Sequence, residues 1–583
     1  MTPPLGRGRL SLVDPNRPAV QDLQTCDLVV LGSGAAGLAA AVTAACRGLS
    51  VSLIERDGMV GGTSAISGGA LWIPQTRQAV QGGYADSREN ARVYLQNVLG
   101  QAYDAELVDA FLDNGPRALA YLEDHTELKY AVRALSPDYY PEIEGATDNG
   151  RALEVAGYDG RRLGPWFDRL RPPPRGMMLF GGMMLSRTDV AHFLRMRSSL
   201  PSLAHCAGLT ARYFADRLGG HRRGTRLMIG NAMVATLLRA ALDRNVRIQL
   251  AAETEALLTS GEGRVVGVRV RRADGSLAEI AARGGVVLAT GGLGRAPEAA
   301  QERPDTGADH LSMSAPWADG RAIALAAGLG AQVGGGLLSS FYWAPMSRIS
   351  RGERAQEVFP HIVTDRAKPG VIAVNDKAAR FVNEANSYHR FVEAMRAERR
   401  AGAERFFLIA DRKALEAYGM GLARPKPGDN SALIRDGYLI EAKSIPGLAE
   451  RLGIDAGALT ATVGRFNAHA ASGQDPDFRK GESAYNRAMG DMTAAHPNLA
   501  SLTCAPFYAV QIHTGDLGSA KGLRTDGRAR VRRPDGSLIA GLYAAGNDMN
   551  SMMAGGYPGP GITLGPAITF GWLAAMTAAD ELA

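Results

Sequence analysis

Residues 27–55 read DLVVLGSGAAGLAAAVTAACRGLSVSLIE, and the fold is decided there. Residues 28–31 are a short apolar run of strand type. Gly32, Gly34 and Gly37 then spell G-x-G-x-x-G, with Ser33, Ala35 and Ala36 between them. An Ala/Leu-rich segment suited to a helix follows, and residues 51–54 supply a second apolar strand ending in Glu55. Each glycine has its own task. Gly32 allows the tight turn, Gly34 lets the backbone approach a pyrophosphate, and Gly37 lets helix and strand pack closely. The helix N-terminus offers unpaired N–H groups and a positive dipole end to phosphates. Glu55 stands where a ribose hydroxyl can donate to its carboxylate. A glycine-rich loop alone would explain the three glycines. The strand, helix, second strand and acidic terminus, all in the required order, favour a dinucleotide site.

At 583 residues the chain exceeds one compact core, so two domains with insertions are expected. Apolar residues make up 46% and charged residues 21%, the balance of a folded protein. The net charge of +6 is mild for this length, and no nucleic-acid module accompanies it, which argues against a nucleic-acid partner. Cys26, Cys46, Cys206 and Cys504 are scattered, without a C-x-x-C pair or histidines at ligand spacing. Neither a disulfide framework nor a metal site is expected, and a reducing, cytoplasmic compartment fits. Residues 1–25 read as an irregular arm without the apolar core of a signal peptide. No apolar run reaches the roughly 20 residues that span a bilayer.

Residues 58–70 are rich in glycine and hydroxyls, among them Gly62, Thr63, Ser64, Ser67, Gly68 and Gly69. Such a run is expected as a loop approaching the rest of the same ligand. Residues 89–122 have helical periodicity, and Pro137 and Pro141 then bracket the adjacent Tyr139 and Tyr140. Residues 161–226 hold thirteen arginines, no lysine and three aspartates, interleaved with Trp166, Phe167, Leu179, Phe180 and five methionines. One reading is a peripheral contact with the inner face of a membrane, where anionic lipid adds about 1 kcal/mol per Lys/Arg. The other is a surface excursion packed on the main core.

A helix is expected over residues 225–245, and strand patterns return at 246–250, at Ala256 and over 265–270, with Asp274-Gly275 as a hairpin signal. Residues 285–294 are an apolar strand running into glycines through Ala289, Thr290 and Gly291. Residues 335–510 carry no nucleotide motif. Asp535-Gly536 signals another hairpin, and residues 538–547 form a short strand ending in Gly546-Asn547. Residues 555–566 read GGYPGPGITLGP and open a long apolar helix from about Pro566 to Asp580. The expected class is α/β with an α+β second domain. A Rossmann-like domain occupies residues 26–334 and 511–583, and a substrate domain is inserted at 335–510.

Together these stretches resemble the FAD flavoproteins related to the fumarate reductase/succinate dehydrogenase flavoprotein, and among them the 3-ketosteroid Δ1-dehydrogenases. The resemblance is carried by the first unit to about Pro74, Ala289-Thr290-Gly291-Gly292, Phe381-Val382-Asn383-Glu384, Ala505-Pro506-Phe507-Tyr508-Ala509 and residues 541–571. The basic stretch 161–226 departs from the shorter members. Fumarate reductases hold a dicarboxylate with Arg and His groups. Residues 557–561 read YPGPG instead, similar to the loop of the ketosteroid dehydrogenases.

The resemblance implies that the Tyr557 hydroxyl and the Gly561 N–H grip the steroid C3 carbonyl. It implies that Tyr388 takes the C2 proton and that Tyr139 or Tyr140 supports it. FAD contacts are expected from Gly32, Ser33, Gly34, Ala35, Ala36, Gly37, Glu55, Arg56, the glycine and hydroxyl run, Ala256, Ala289, Thr290, Gly291, Gly546, Asn547, Gly561, Ile562 and Leu564. Oxidising a C1–C2 bond beside a ketone needs a base and a hydride acceptor, and flavin N5 is such an acceptor. The ordinary tyrosine pKa of about 10 leaves Tyr388 in need of a hydrogen-bond partner or a positive field. The helix near Gly565 is expected to point its positive end at the flavin. No second complete dinucleotide unit is found, so a quinone or another non-nicotinamide acceptor is expected to reoxidise it. The rivals are a fumarate-reductase-like enzyme acting on an unsaturated acid or enone, and a binding protein that kept the fold without the chemistry.

Overall fold

The computed structural model describes residues 22–196, 198–349, 357–363 and 365–583. Of the irregular arm expected at the start, residues 1–21 lie outside the described residues. The main sheet has eight strands: β1 (Asp22–Leu31), β2 (Val51–Ile54), β3 (Arg247–Gln249), β4 (Glu253–Thr259), β5 (Val265–Arg271), β6 (Leu277–Leu288), β7 (Arg530–Arg532) and β8 (Leu538–Ala544). Its order is β7-β8-β6-β1-β2-β3, and β4 and β5 add an antiparallel flap to β6. The pairs β8–β6, β6–β1, β1–β2 and β2–β3 are all parallel. Residues 28–31 and 51–54 are buried throughout, as parallel strands covered on both faces must be. Asp274-Gly275 and Asp535-Gly536 do turn antiparallel hairpins.

The helices that matter for the site are α1 (Ala35–Cys46), α2 (Gly62–Ile66), α3 (Ala105–His125), α4 (Leu200–Leu218), α5 (Ile229–Asp243), α6 (Tyr388–Arg400) and α7 (Leu564–Leu582). α1 can sit against the sheet because Gly37 has no side chain: a Cβ there would lie 1.9 Å from the Gly32 carbonyl oxygen. α7 packs on α1 and α3, so the C-terminal helix closes the domain that the first strand opens.

A second layer is a four-stranded antiparallel sheet in the order Val371–Asn375, Phe406–Asp411, Phe507–Ile512, Ile440–Ala442. α6 covers one face through Phe391, Val392 and Met395. Leu448, Leu459 and Phe466 of two later helices cover the other. A small sheet of Leu311–Ser312, Gly515–Ser519 and Phe341–Trp343 lies between residues assigned to both domains.

Several local expectations need correction. The run 58–70 is not all loop: Gly61, at φ +111°, lets the chain turn into α2, whose Ala65 is buried. Residues 89–122 form two helices, Arg88–Leu99 and α3, divided at Gly100 with φ +52°. The helix expected from Thr225 begins at Ile229, because Arg226–Leu227 pairs with Tyr158–Asp159. In the basic stretch, Leu163, Phe167, Leu170, Met178 and Met184 enter the main core, while Phe180, Leu194, Leu200, Leu203, Phe214 and Leu218 are exposed. Among the described residues no helix is long and apolar enough to cross a membrane.

Candidate active site

A cavity of about 480 Å³ is lined by the first glycine turn, the α2 segment, the end of β6, the segment after β8 and the Tyr557 loop. Gly32, Ser33, Gly34, Ala35, Ala36, Glu55, Gly62, Thr63, Ser64, Ser67, Gly68 and Gly69 all face it. So do Ala289, Thr290, Gly291, Gly546, Asn547, Gly561 and Leu564. Gly32 is at φ +98°, and a Cβ on it would lie 2.2 Å from the Ala289 carbonyl oxygen. The turn therefore presents bare backbone at the N-terminus of α1, the form that a pyrophosphate requires. The donor set and this cradle fit FAD.

The Glu55 carboxylate first braces that turn. It accepts hydrogen bonds from the Ser33 N–H (3.0 Å), the Ser33 hydroxyl (2.5 Å) and the Asp57 N–H (2.9 Å). Burial pushes its pKa up, and these hydrogen bonds pull it back. Asp548, which the sequence did not single out, does the same for the far strand ends. It is fully buried and accepts from the Thr290 N–H and hydroxyl and from the Gly292 N–H. Trp317, also missed, faces the cavity with the Arg56 guanidinium 4.5 Å from its ring centroid.

Five expected contacts do not line the cavity. Gly37 acts by close packing. Arg56 is held in ion pairs with Glu253 and Asp319 behind Trp317. Ala256 lies inside β4, which begins three residues earlier at Glu253 and pairs with β5. Ile562 is fully buried beside a much smaller cavity, and Tyr140 packs against Arg390 at 5.2 Å.

The other part of the lining is aromatic. Tyr139, Tyr388, Tyr485 and Tyr557 all face the cavity. The Tyr139 hydroxyl donates to the Tyr388 hydroxyl at 3.2 Å. The Tyr388 and Tyr557 rings meet edge to face at 5.0 Å, and Tyr139 stacks on Tyr557 at 5.5 Å. Of the two adjacent candidates, the structure turns Tyr139 to the cavity and Tyr140 away. Burial, then the neighbouring Tyr139 and Tyr557, push Tyr388 well above its ordinary range. Burial raises Tyr139 and Tyr557 likewise, and the Tyr388 hydrogen bond opposes that rise in both.

Local structure explains these placements. Tyr388 is the first residue of α6, next to the positive end of its dipole, and the Ser387 hydroxyl caps that end by accepting from the Arg390 N–H. The Tyr139 N–H donates to the Pro558 carbonyl (2.8 Å), which ties the two tyrosine loops together. Beside it, buried Asp138 accepts from the Trp72 indole N–H (2.8 Å) and from Arg151 (2.8 Å). Burial raises Asp138 to about 6 against the pull of Arg151. In the Tyr557 loop, Gly561 is at φ +102°, with Ala70 and Leu71 so close that a Cβ would lie 2.5 Å from the Ala70 carbonyl oxygen. Its carbonyl accepts from Trp72 and Gly565, and its N–H makes no hydrogen bond to another described residue.

A dinucleotide turn, a Rossmann-like sheet and a cavity of this lining define an FAD flavoprotein. Residues 27–564 match the FAD binding domain family, and the chain belongs to it. The chain is similar along nearly its whole length to two curated dehydrogenases. The 4-oxocyclohex-2-ene-1-carboxylate 5-dehydrogenase of Sinomonas cyclohexanicum is 35% identical, over 94% of this chain and 93% of that protein. The 3-oxosteroid 1-dehydrogenase of Mycolicibacterium smegmatis is 35% identical, over 96% and 98%. The crystal structure of 3-ketosteroid delta1-dehydrogenase from Sterolibacterium denitrificans in complex with 1,4-androstadiene-3,17-dione superposes with a TM-score of 0.87 at 34% identity, covering 96% of this chain and 100% of that one. The resemblance drawn from the motifs therefore holds.

Proposed function

We propose that this protein is an FAD-dependent dehydrogenase that introduces a C1–C2 double bond into a 3-ketosteroid. The observation that carries the reading is the meeting of Tyr139, Tyr388 and Tyr557 at the aromatic part of an FAD cavity. Tyr557 and the Gly561 N–H hold the C3 carbonyl oxygen and stabilise the negative charge that grows there as C2 loses its proton. Tyr388 takes that proton at its hydroxyl oxygen, with the Tyr139 hydroxyl 3.2 Å away to share the charge. FAD, when bound, supplies the hydride acceptor for C1. The rest of the lining, with Leu135, Met177, Phe359, Ile362, Val363 and Met489, is apolar enough to desolvate a bulky ketone.

The rival reductase of an unsaturated acid needs a cation to face a carboxylate. Among the described residues, both cations in the lining already face carboxylates of the chain: Arg171 pairs with Asp57, and Arg133 lies 3.7 Å from Glu154. In this reading residues 26–334 and 511–583 hold FAD, and residues 335–510 close over the substrate. A quinone or another non-nicotinamide acceptor reoxidises the flavin.

The basic insert adds a peripheral membrane contact. Leu200, Leu203, Phe214 and Leu218 stand exposed at helical spacing on α4, with Arg217 beside them. Co-sedimentation with anionic vesicles, lost when these four become serine, tests that contact.

The activity test mixes the purified protein with androst-4-ene-3,17-dione and a dye acceptor, with 4-oxocyclohexanecarboxylate in parallel. Flavin bleaching and a 1,2-dehydrogenated steroid are expected, with Tyr388→Phe inactive but yellow. No steroid product, or turnover of the small acid alone, would overturn the reading.

A further inference from the structure

Tyr388 sits where ionisation is opposed. It is 4% exposed, and two other tyrosine hydroxyls crowd it. A base in such a place needs a positive charge nearby. Most charged groups around it are already matched. Glu384, on the loop leading into α6, is bound by Arg380 (2.9 Å) and Lys480 (3.2 Å). His389 accepts the Trp343 N–H at Nδ1, and its Nε2 lies 3.4 Å from the Glu393 carboxylate. Arg390 pairs with Glu142 at 2.7 Å, and Arg133 faces Glu154.

Arg366 is different. It is 4% exposed, and its guanidinium donates to backbone carbonyls: Nε to His361 (2.7 Å), Nη1 to Glu384 (2.9 Å) and Asn386 (3.1 Å), and Nη2 to Ile362 (3.4 Å). The neighbouring Asp365 carboxylate is turned elsewhere. Its Oδ2 accepts from His361 Nδ1 (2.5 Å) and the Gly421 N–H (3.0 Å), and its Oδ1 takes the backbone N–H of Arg366. The guanidinium lies 5.0 Å from the centre of the Phe391 ring, on the first turns of α6. Its charge is shared between the buried Asp365 carboxylate and Tyr485, Tyr139 and Tyr388, and the three tyrosines face the cavity. Two of the carbonyls it holds belong to the loop that delivers Tyr388. The other two belong to His361 and Ile362, of which Ile362 lines the cavity.

We propose that Arg366 is a positioning residue for the dehydrogenation: it clamps the Tyr388 loop to the cavity wall and supplies a positive charge, bonded directly by no carboxylate, that favours the Tyr388 phenolate and its partner Tyr139. This rests on Tyr388 being the base. The step balances as a proton transfer: the C2–H bond breaks, the proton joins the Tyr388 oxygen, and Arg366 keeps its own proton throughout. Carbonyl dipoles rather than a carboxylate hold the guanidinium, so its burial is satisfied without a direct ion pair.

The test is the pH dependence of kcat/KM for the holoenzyme with androst-4-ene-3,17-dione and a dye acceptor. It compares wild type, Arg366→Met, Arg366→Lys and Tyr388→Phe. Arg366→Met is expected to retain flavin and to move the acid limb up by about one pH unit or more, as loss of a nearby opposite charge requires. Arg366→Lys keeps the charge but not the fork, so it lowers the rate while leaving that limb in place. An unmoved limb in Arg366→Met, whatever its rate, overturns the proposal. So does a limb that moves in Arg366→Lys by a full pH unit, and this arm decides the matter if the Met variant does not hold flavin. An active Tyr388→Phe would instead overturn the base, and this inference with it. An inactive Tyr388→Phe with an unmoved limb in Arg366→Met removes Arg366 alone.

Discussion

Replacing Tyr139 by phenylalanine removes one hydroxyl and little else. Its ring stacks on Tyr557 at 5.5 Å and meets Tyr388 at 5.5 Å and Tyr485 at 4.9 Å, and all three contacts survive in Phe. What is lost is the donor 3.2 Å from the Tyr388 hydroxyl. Between two neutral phenols that bond contributes about 1 kcal/mol, so the folded enzyme should lose no more than about that in stability. Once Tyr388 carries charge, a hydrogen bond to it is worth about 1.5–3 kcal/mol. Removing it should slow the chemical step by roughly 10- to 150-fold, at about 1.4 kcal/mol per factor of ten. The assay is anaerobic single-turnover bleaching of the flavin by androst-4-ene-3,17-dione, which separates the chemistry from reoxidation. Tyr140→Phe is the control. Its ring packs on Arg390 outside the cavity, and its rate should stay close to wild type. A slow Tyr140→Phe beside a wild-type Tyr139→Phe would refute the reasoning.

Three further outcomes are expected. Tyr557→Phe should lower the single-turnover rate by about 10²–10³, as loss of one oxyanion donor does, with KM little changed, and a near-wild-type rate would remove Tyr557 from the carbonyl grip. Gly561→Ala should lose at least as much activity and also melt earlier, because φ +102° and the Ala70 carbonyl leave a Cβ no room; a wild-type rate and melting point would refute that. Burial would raise Glu384, but Arg380 and Lys480 hold it at about 2, below its unfolded value of about 4.3. Its contribution is therefore present above that value and fades as pH falls through about 2. Glu384→Gln should destabilise by about 3–5 kcal/mol near neutral pH and by clearly less toward pH 2, read from unfolding midpoints; a pH-independent difference would contradict the pairing.

The turn from Gly32 to Gly37 was legible because its strand, helix and second strand are contiguous, so spacing alone carries the geometry. The tyrosines are different. Tyr388 and Tyr557 could be named only through a family resemblance, and no spacing rule separates Tyr139 from its neighbour Tyr140. That choice is made by the Tyr139 N–H on Pro558, a contact between segments far apart in the chain, and by the hold of Trp72 and Arg151 on Asp138. Ala256 was misplaced because a short apolar run does not reveal that its strand begins at Glu253. Asp548 directly follows Gly546-Asn547, yet a lone aspartate after a strand carries no signal until its partners Thr290 and Gly292 are in place. Arg366 was invisible for the same reason: its meaning lies in which backbone carbonyls its guanidinium holds.

Identity alone does not choose the substrate. At 35% the chain is as similar to a dehydrogenase named for an oxocyclohexene carboxylate as to one named for an oxosteroid. Both names describe desaturation beside a ring ketone, so the proposed carbonyl grip and base would serve either molecule equally. Discrimination must then come from what lies beyond the ketone ring, a carboxylate in one case and fused apolar rings in the other. A carboxylate bound away from water needs a cation free to pair with it. Among the described residues the cations in the lining, Arg133 and Arg171, face Glu154 and Asp57. Fused rings need apolar wall, and Leu135, Phe359, Ile362, Val363 and Met489 provide it, with Met177 brought in by the basic insert. Leu135 and Val363 remain 47% and 40% exposed, so that wall runs out toward the solvent. An opening of that kind suits a long apolar molecule admitted ketone-first, and it leaves a small acid few contacts beyond its own ring.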